Sequence, residues 1–412
     1  MKKLILLLVI AGGIWFWWNN NQEVGTPTEE PTQNYTIHHH ETATKETTEP
    51  ITQTVELTRS TDIIDAFFYN QLDEEARIIY RAIRDGVADG LEEVILETDN
   101  IDLIHSTYRF VLFDHPEFFW ATGAASTIVT SWTDGRTYAT FKPVYAHQGA
   151  DKTRMQEEIE IAIDAFLATV DPHLSEYEKV RLVYEYLILN TSYNLDAPDH
   201  QNIYSVFVNR ESVCAGISRA AQLLLTRLGI FATYITGDAY VPGTSEAPVA
   251  HAWNLVRVNG KYYYLDVTWG IPFFQEDNAL TIDIIYDYLL ITGDLLFRTH
   301  TLGEEITTQG IILPATNSWT HTFFYLNNMF YDHNDRAVLL EDMNNSILNQ
   351  ERRISFQFAT PELFEEMRAI IIEELAPIAA HNLMEWHGLM STQYFFRERE
   401  NLNKITIYWT YE

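Results

Sequence analysis

The chain has 412 residues, enough for two or three domains, and its 46% hydrophobic and 13% aromatic content can build real cores. A formal net charge of -31 argues against nucleic-acid binding, because phosphate backbones need a basic surface. The single cysteine, Cys214, excludes an internal disulfide and a zinc-thiolate cluster.

Lys2-Lys3 precede an apolar run from Leu4 to Trp18. That is the pattern of a targeting segment, with the lysines kept on the cytoplasmic side and the body exported. The run is short against the roughly 20 residues of a full span, though about 17 suffice at the low end. Residues 1–18 are expected to be a signal anchor, or a signal peptide cleaved near Ala11-Gly12-Gly13. The expected location is the cell membrane, single-pass with an extracellular body, or the secreted state if the segment is cleaved. Residues 19–57 are rich in Thr, Glu, Gln and Pro and read as a disordered spacer, with His38-His39-His40 as part of that polar linker.

Residues 58–150 are expected to form an N-terminal α+β accessory domain. Asp73 to Asp85 is an amphipathic helix with Ile78, Ile79, Ala82 and Ile83 on its apolar side. A second helix covers Ile101 to Asp114, and strands follow around Thr127 to Trp132 and Thr137 to Tyr145, turning at Asp134-Gly135. His105, His115 and His147 lack metal-ligand spacing. Helices are expected over Lys152 to Thr169 and Ser175 to Asn190, the second opened by a Ser175/Glu178 capping box. Tyr204 approaches the site before Cys214 and is a candidate substrate contact that could donate to an oxyanion, with a packing role as the other reading.

Cys214 begins a proline-free stretch whose Ile217, Ala221, Leu224 and Leu228 recur at helical spacing, with Gly229 as a stop and Ser212 placed to cap the start. A thiol at a helix N-terminus meets the positive end of the dipole, which favours thiolate. Gly237 to Ala250 reads as a polar loop bordering a groove. HAWNLVRV and KYYYLDVTW flank Asn259-Gly260, the strongest short hairpin signal. In a two-residue type I′ hairpin Val258 faces Lys261, Trp253 faces Asp266 and His251 faces Thr268. Side chains alternate, so His251, Trp253, Asp266 and Thr268 share one face, with His251 and Asp266 diagonal neighbours. Trp253 then reads as a wall of the site, and Asn254 points away. A thiol, an imidazole and a carboxylate could act as nucleophile, base and orienting acid.

VCAGISRAAQLLLTRLGI, then HAWN, then YLDVTWG resemble the transglutaminase-like core of the papain-type cysteine enzymes, and the likeness extends upstream through SEYEKVRLVYEYLILNTSY. The resemblance implies an α+β, papain-like core over residues 151–314, with Cys214 as nucleophile, His251 as base and Asp266 as the orienting acid. Such proteins commonly carry an acidic residue after the VTW block, where this chain has Gly270-Ile271. His300 lies in a post-catalytic segment where similar proteins often place a histidine, and here a structural or surface role is expected.

Residues 315–412 are expected to be a C-terminal α+β accessory domain. FFYLNNMFY reads as a hairpin turning at Asn327-Asn328, Ile354 to Phe358 as a strand, Thr360-Pro361 as a helix start and Lys404 to Tyr411 as a strand. The expectation is an exported cysteine acyl-transfer enzyme acting on peptide or amide bonds, hydrolysis slightly ahead of transamidation. The substrate would be a protein or peptide at the cell surface or wall, with no cofactor and no metal. The alternative is an inactive module of the same fold that binds peptides or wall polymers.

Overall fold

The computed structural model describes residues 66–132, 136–240, 247–272 and 284–411. The expected targeting segment, the expected spacer and the expected turn at Asp134-Gly135 lie outside the described residues. Among the described residues no helix is long and apolar enough to cross a membrane. The described residues form an α+β architecture in two compact units, the first reaching from residue 66 to Ile285 with His300–Ala315, the second made of Tyr286–Thr299 with the residues from Thr316 onward.

The first unit opens with a helix over Glu74–Asp89, capped by Asp73 and ended by the left-handed Gly90, and a second over Ile101–Asp114. Their apolar sides bury Ile79, Ile83, Tyr108 and Val111. Ile78, expected on the apolar side, is instead exposed. Strands β1 (Val94–Leu96), β2 (Ala121–Ser131) and β3 (Thr137–Tyr145) form an antiparallel sheet in the order β1-β3-β2. Two further helices follow, over Gly149–Leu167 and Glu176–Asn190, and the Ser175/Glu178 capping box opens the second.

After the short parallel pair β4 (Ser192–Tyr193) and β5 (Glu211–Ser212) comes the cysteine helix, Cys214–Arg227. It packs on a four-stranded sheet of β6 (Ala232–Ala239), β7 (Val249–Val258), β8 (Lys261–Leu265) and β9 (His300–Leu302), in the order β8-β7-β6-β9. The stretch expected as a loop from Gly237 to Ala250 is therefore shorter, with both of its ends drawn into β6 and β7.

The β7–β8 hairpin has the expected register, from Val258 opposite Lys261 to Asn254 opposite Leu265. Asn259 and Gly260 have φ of 48° and 77°, the two left-handed residues of a type I′ turn. One expectation fails at the far end. β8 stops at Leu265, and Thr268–Gly270 coil into a helical turn, so Thr268 does not face His251. The cause is local: the Asp266 carboxylate accepts the Trp269 N–H at 3.1 Å, an Asx-type closure that competes with the extended ladder.

In the second unit, β10 (Phe330–Tyr331), β11 (Arg353–Phe358), β12 (Tyr394–Arg399) and β13 (Lys404–Trp409) form a sheet in the order β10-β11-β13-β12. Helices over Arg336–Leu348, Pro361–Ile370 and Ala376–His387 bury Leu339, Met343, Met367 and Leu383 with Phe356, Ile405 and Ile407. The hairpin expected in FFYLNNMFY is absent. Thr322 caps a helical turn over Phe323–Leu326, and Phe330–Tyr331 pairs in parallel with β11 instead. A local cap and a distant strand outcompete the Asn327-Asn328 turn.

Candidate active site

Cys214 is the first residue of its helix, with Val213 at the cap position in extended backbone. Ser212 does not cap it. Its hydroxyl bonds instead to the His200 carbonyl at 2.8 Å and the Ser205 hydroxyl at 2.7 Å. Ile217, Ala221 and Leu224 are buried as their spacing predicts. Gly216 has no room for a side chain, because a Cβ there would meet the Ser212 hydroxyl and the carbonyl oxygens of Asn202 and His200 at 2.9 Å. The approach segment can therefore press against the first turn and hold the thiol in place.

The helix is braced to β7 by two reciprocal hydrogen bonds. Ser218 Oγ donates to the Ala252 carbonyl at 3.0 Å, and Asn254 Nδ2 donates to the Ser218 carbonyl at 2.9 Å. Asn254 points away from the imidazole side of β7 and serves this brace. His251, the residue before the Ala252 anchor, is thereby placed beside the cysteine, and the Cys214 side chain lies within hydrogen-bonding reach of its ring.

His251 Nε2–H donates to Asp266 Oδ2 at 2.7 Å, which leaves Nδ1 to face the thiol. Asp266 is fully buried, and His251 is 7% exposed. A second imidazole joins them: His300 Nε2–H, on β9, donates to the same carboxylate oxygen at 3.3 Å. Burial alone would drive the His251 ring down, but the Asp266 charge and hydrogen bond, with Cys214, outweigh it and push the ring up to about 10. Burial raises the Asp266 carboxyl, yet the two imidazoles more than offset this and hold it well below the usual carboxylate range. The ligating atoms of His251, Asp266 and His300 lie within 4.8 Å of one another, a set that could hold a cation. Both Nε2–H groups are already donated to the carboxylate, so this set reads as a hydrogen-bond relay.

Cys214 and His251 line one cavity. Its walls are Leu195, Val213, Ala215, Ala250 and Ala252, with polar groups from Tyr193, His200, Gln201, Tyr234 and Thr236. Among the described residues no Asp, Glu, Lys or Arg lines it. The two residues expected to contact substrate are placed elsewhere. Trp253 is fully buried, its ring stacked 6.0 Å from His251 and set edge-on 5.0 Å from His300. The pleat predicts its face, but the indole sits beneath the imidazoles instead of lining the cavity. The Tyr204 hydroxyl donates to Glu158 at 2.7 Å, and its ring packs near Phe119. His300 and Tyr193 are the residues that sequence reasoning left out of the site. Tyr193 ends the upstream block of the family likeness, and His300 was assigned a structural or surface role.

Gly270 explains the departure after the VTW block. A Cβ there would overlap the hydroxyl of Tyr184, which is itself tied to the Ile285 carbonyl at 2.6 Å. An acidic side chain has no space.

Residues 165–267 match the family model described as the transglutaminase-like superfamily. This segment is a transglutaminase-like core. Members of that superfamily are commonly cysteine proteases or transglutaminases. Kyphoscoliosis peptidase of Mus musculus is 20% identical over 244 residues, which cover 57% of this chain and 34% of that protein. The chain thus spans about a third of the length of this curated relative. Among solved structures, a TGase is 17% identical over 35% of this chain and 44% of its own, with a TM-score of 0.24. The periplasmic domain of TgpA from Pseudomonas aeruginosa is 19% identical over 36% of this chain and 66% of its own, with a TM-score of 0.21.

Proposed function

We propose that the chain is an exported cysteine acyl-transfer enzyme acting on peptide or amide bonds, with Cys214 as nucleophile, His251 as base and acid, and Asp266 as orienting carboxylate. The observation that carries this reading is the 2.7 Å hydrogen bond that fixes His251 on a buried Asp266 while its other face meets a thiol at a helix N-terminus. Cys214 Sγ attacks the carbonyl carbon, and its proton rests on His251 Nδ1. That proton passes to the leaving amine as the C–N bond breaks and a thioester remains. Water or an amine then attacks the thioester and releases Cys214.

Apart from the His251 imidazolium, paired with Asp266, the described lining carries no Asp, Glu, Lys or Arg, which supports an uncharged acyl side chain, apolar or carboxamide, because a charged one would be desolvated without a partner. Hydrolysis is the favoured outcome, since water outnumbers any amine acceptor outside a cell. The apolar run from Leu4 to Trp18 supports delivery across a membrane, and peptide segments at the cell surface or wall are the expected substrates.

The test is alkylation of Cys214 by iodoacetamide at pH 6. A rate far above that of a free thiol, lost in His251→Ala, is expected. An inert Cys214 makes the chain a binding module of this fold. Mass spectrometry of a peptide pool, with and without an added fluorescent alkylamine, separates the two acyl acceptors, and cleavage as the main product is the expected result. A phosphatase fused after residue 57 reports export by its activity outside the cytoplasm.

A further inference from the structure

His147 lies between β3 and the Gly149–Leu167 helix, in the region that precedes the cysteine core. Its Nε2–H donates to Asp199 Oδ1 at 2.7 Å, and its Nδ1 is 3.5 Å from the Asp151 carboxylate. Asp199 belongs to the loop between β4 and β5. The same Asp199 oxygen accepts from Asn202 Nδ2 at 3.2 Å, and the Asp199 carbonyl accepts the Asn202 N–H at 2.9 Å. These bonds close a bend around His200 and Gln201. Asp199 holds a φ of 58°, left-handed backbone that a residue with a Cβ adopts at a cost. A partner from outside the loop that meets its carboxylate helps to hold the bend.

The bend matters for what it carries. His200 and Gln201 line the cavity that Cys214 and His251 share. The His200 ring is set by its Nδ1–H, which donates to the Ala197 carbonyl at 2.7 Å. The His200 carbonyl accepts the Ser212 hydroxyl at 2.8 Å and the Val213 N–H at 3.2 Å, so the loop also meets the approach to the cysteine helix. We propose that His147 is a positioning residue: by holding Asp199 it fixes the His200–Gln201 wall of the cavity, and with it the room open to the acyl chain of the substrate. The assignment rests on the acyl-transfer reading of Cys214.

The alignment of thiol and imidazole depends on other bonds, those of Ser218 and Asn254 across to β7 and that of His251 to Asp266. Loss of His147 should therefore change which acyl groups fit more than how the thiol attacks. A two-carbon acyl group stays beside the sulfur. A six-carbon one must pack along the walls, where each methylene adds to the discrimination.

Two esters read this out in the full chain, p-nitrophenyl acetate and p-nitrophenyl hexanoate. With each, Cys214 Sγ bonds to the ester carbonyl carbon, the C–O bond breaks and p-nitrophenolate leaves. His147→Ala is expected to lower kcat/KM about tenfold for the hexanoate and by about threefold at most for the acetate. In His147→Gln the amide N–H takes the place of Nε2–H, and the hexanoate value should return to within about threefold of wild type. Asp199→Asn keeps a side chain suited to left-handed backbone and removes the charge. It should shift the hexanoate-to-acetate ratio the same way by a smaller factor, and it carries the test if His147→Ala fails to fold. A ratio unchanged in these variants overturns the proposal. So does an equal fall on both esters, or a hexanoate loss that His147→Gln leaves in place, either of which would mark a packing role. A wild-type chain acylated by neither ester overturns the acyl-transfer reading itself, and the role of His147 with it.

Discussion

Each unit of this protein buries an ionic cluster, and the two clusters are put to different use. In the first unit Asp266 takes two imidazoles, and one of these, His251, still has a nitrogen that looks onto a cavity and a thiol. In the second unit Lys404 is buried against Asp287, the ammonium donating straight to the carboxylate. Burial draws Lys404 down, and the Asp287 charge opposes the shift. That pair closes on itself between the start of the unit and strand β13. Both side chains are buried, so its work is to hold chain segments together. A buried charge becomes chemistry only when a partner keeps a donor or acceptor that faces an open space.

The sharpest way to break the contrast is Cys214→Ala, which is expected to abolish acylation by p-nitrophenyl acetate while the melting temperature holds. Residual acylation above the solvent background would place the nucleophile elsewhere. Asp266→Asn comes next, with a fall in kcat/KM on the order of 10³-fold, since the ring loses its orientation and its charge partner. The wild-type profile should keep His251 protonated up to an alkaline limb near pH 10, and the variant should move that limb toward neutrality. The sign of the linked stability follows. A folded-state value above the ordinary 6.5 stabilises the fold fully below pH 6.5, and that contribution fades as the pH rises toward 10. Thermal melts across that window, wild type against Asp266→Asn, measure it.

Lys404→Met tests the other cluster. It strands Asp287 and should cost about 3–5 kcal/mol in a denaturant titration. The Lys404→Met/Asp287→Leu double variant should regain most of the loss. Below the transition, iodoacetamide should still label Cys214 at the wild-type rate. The smallest effect is expected from His300→Asn, about tenfold in kcat/KM, because His251 keeps its own shorter bond to the carboxylate. A loss as deep as that of Asp266→Asn would make His300 an equal member of the site.

What could be read from the sequence was local. Asn259-Gly260 set the hairpin register, the Ser175/Glu178 box opened its helix, and the spacing after Cys214 gave a helix that starts at the thiol. These features depend on neighbours a few residues away. His300 escaped because it reaches Asp266 only after β9 pairs with β6, a contact no short pattern encodes. Tyr193 escaped because a two-residue parallel pairing places it. Trp253 shows the limit of alternation: period two predicts a face, but how deep a ring lies on that face depends on what packs above it. FFYLNNMFY failed for the same reason, since β11 is a better partner than its own neighbour.

The brace between the cysteine helix and β7 has a consequence for how such a site can change over time. Ser218 and Asn254 set the separation of thiol and imidazole one helical turn from the reacting atoms. The alignment of the two reacting groups is therefore built into a helix and a strand. A descendant that keeps these two hydrogen bonds inherits the reactive centre intact, whatever else in the chain drifts.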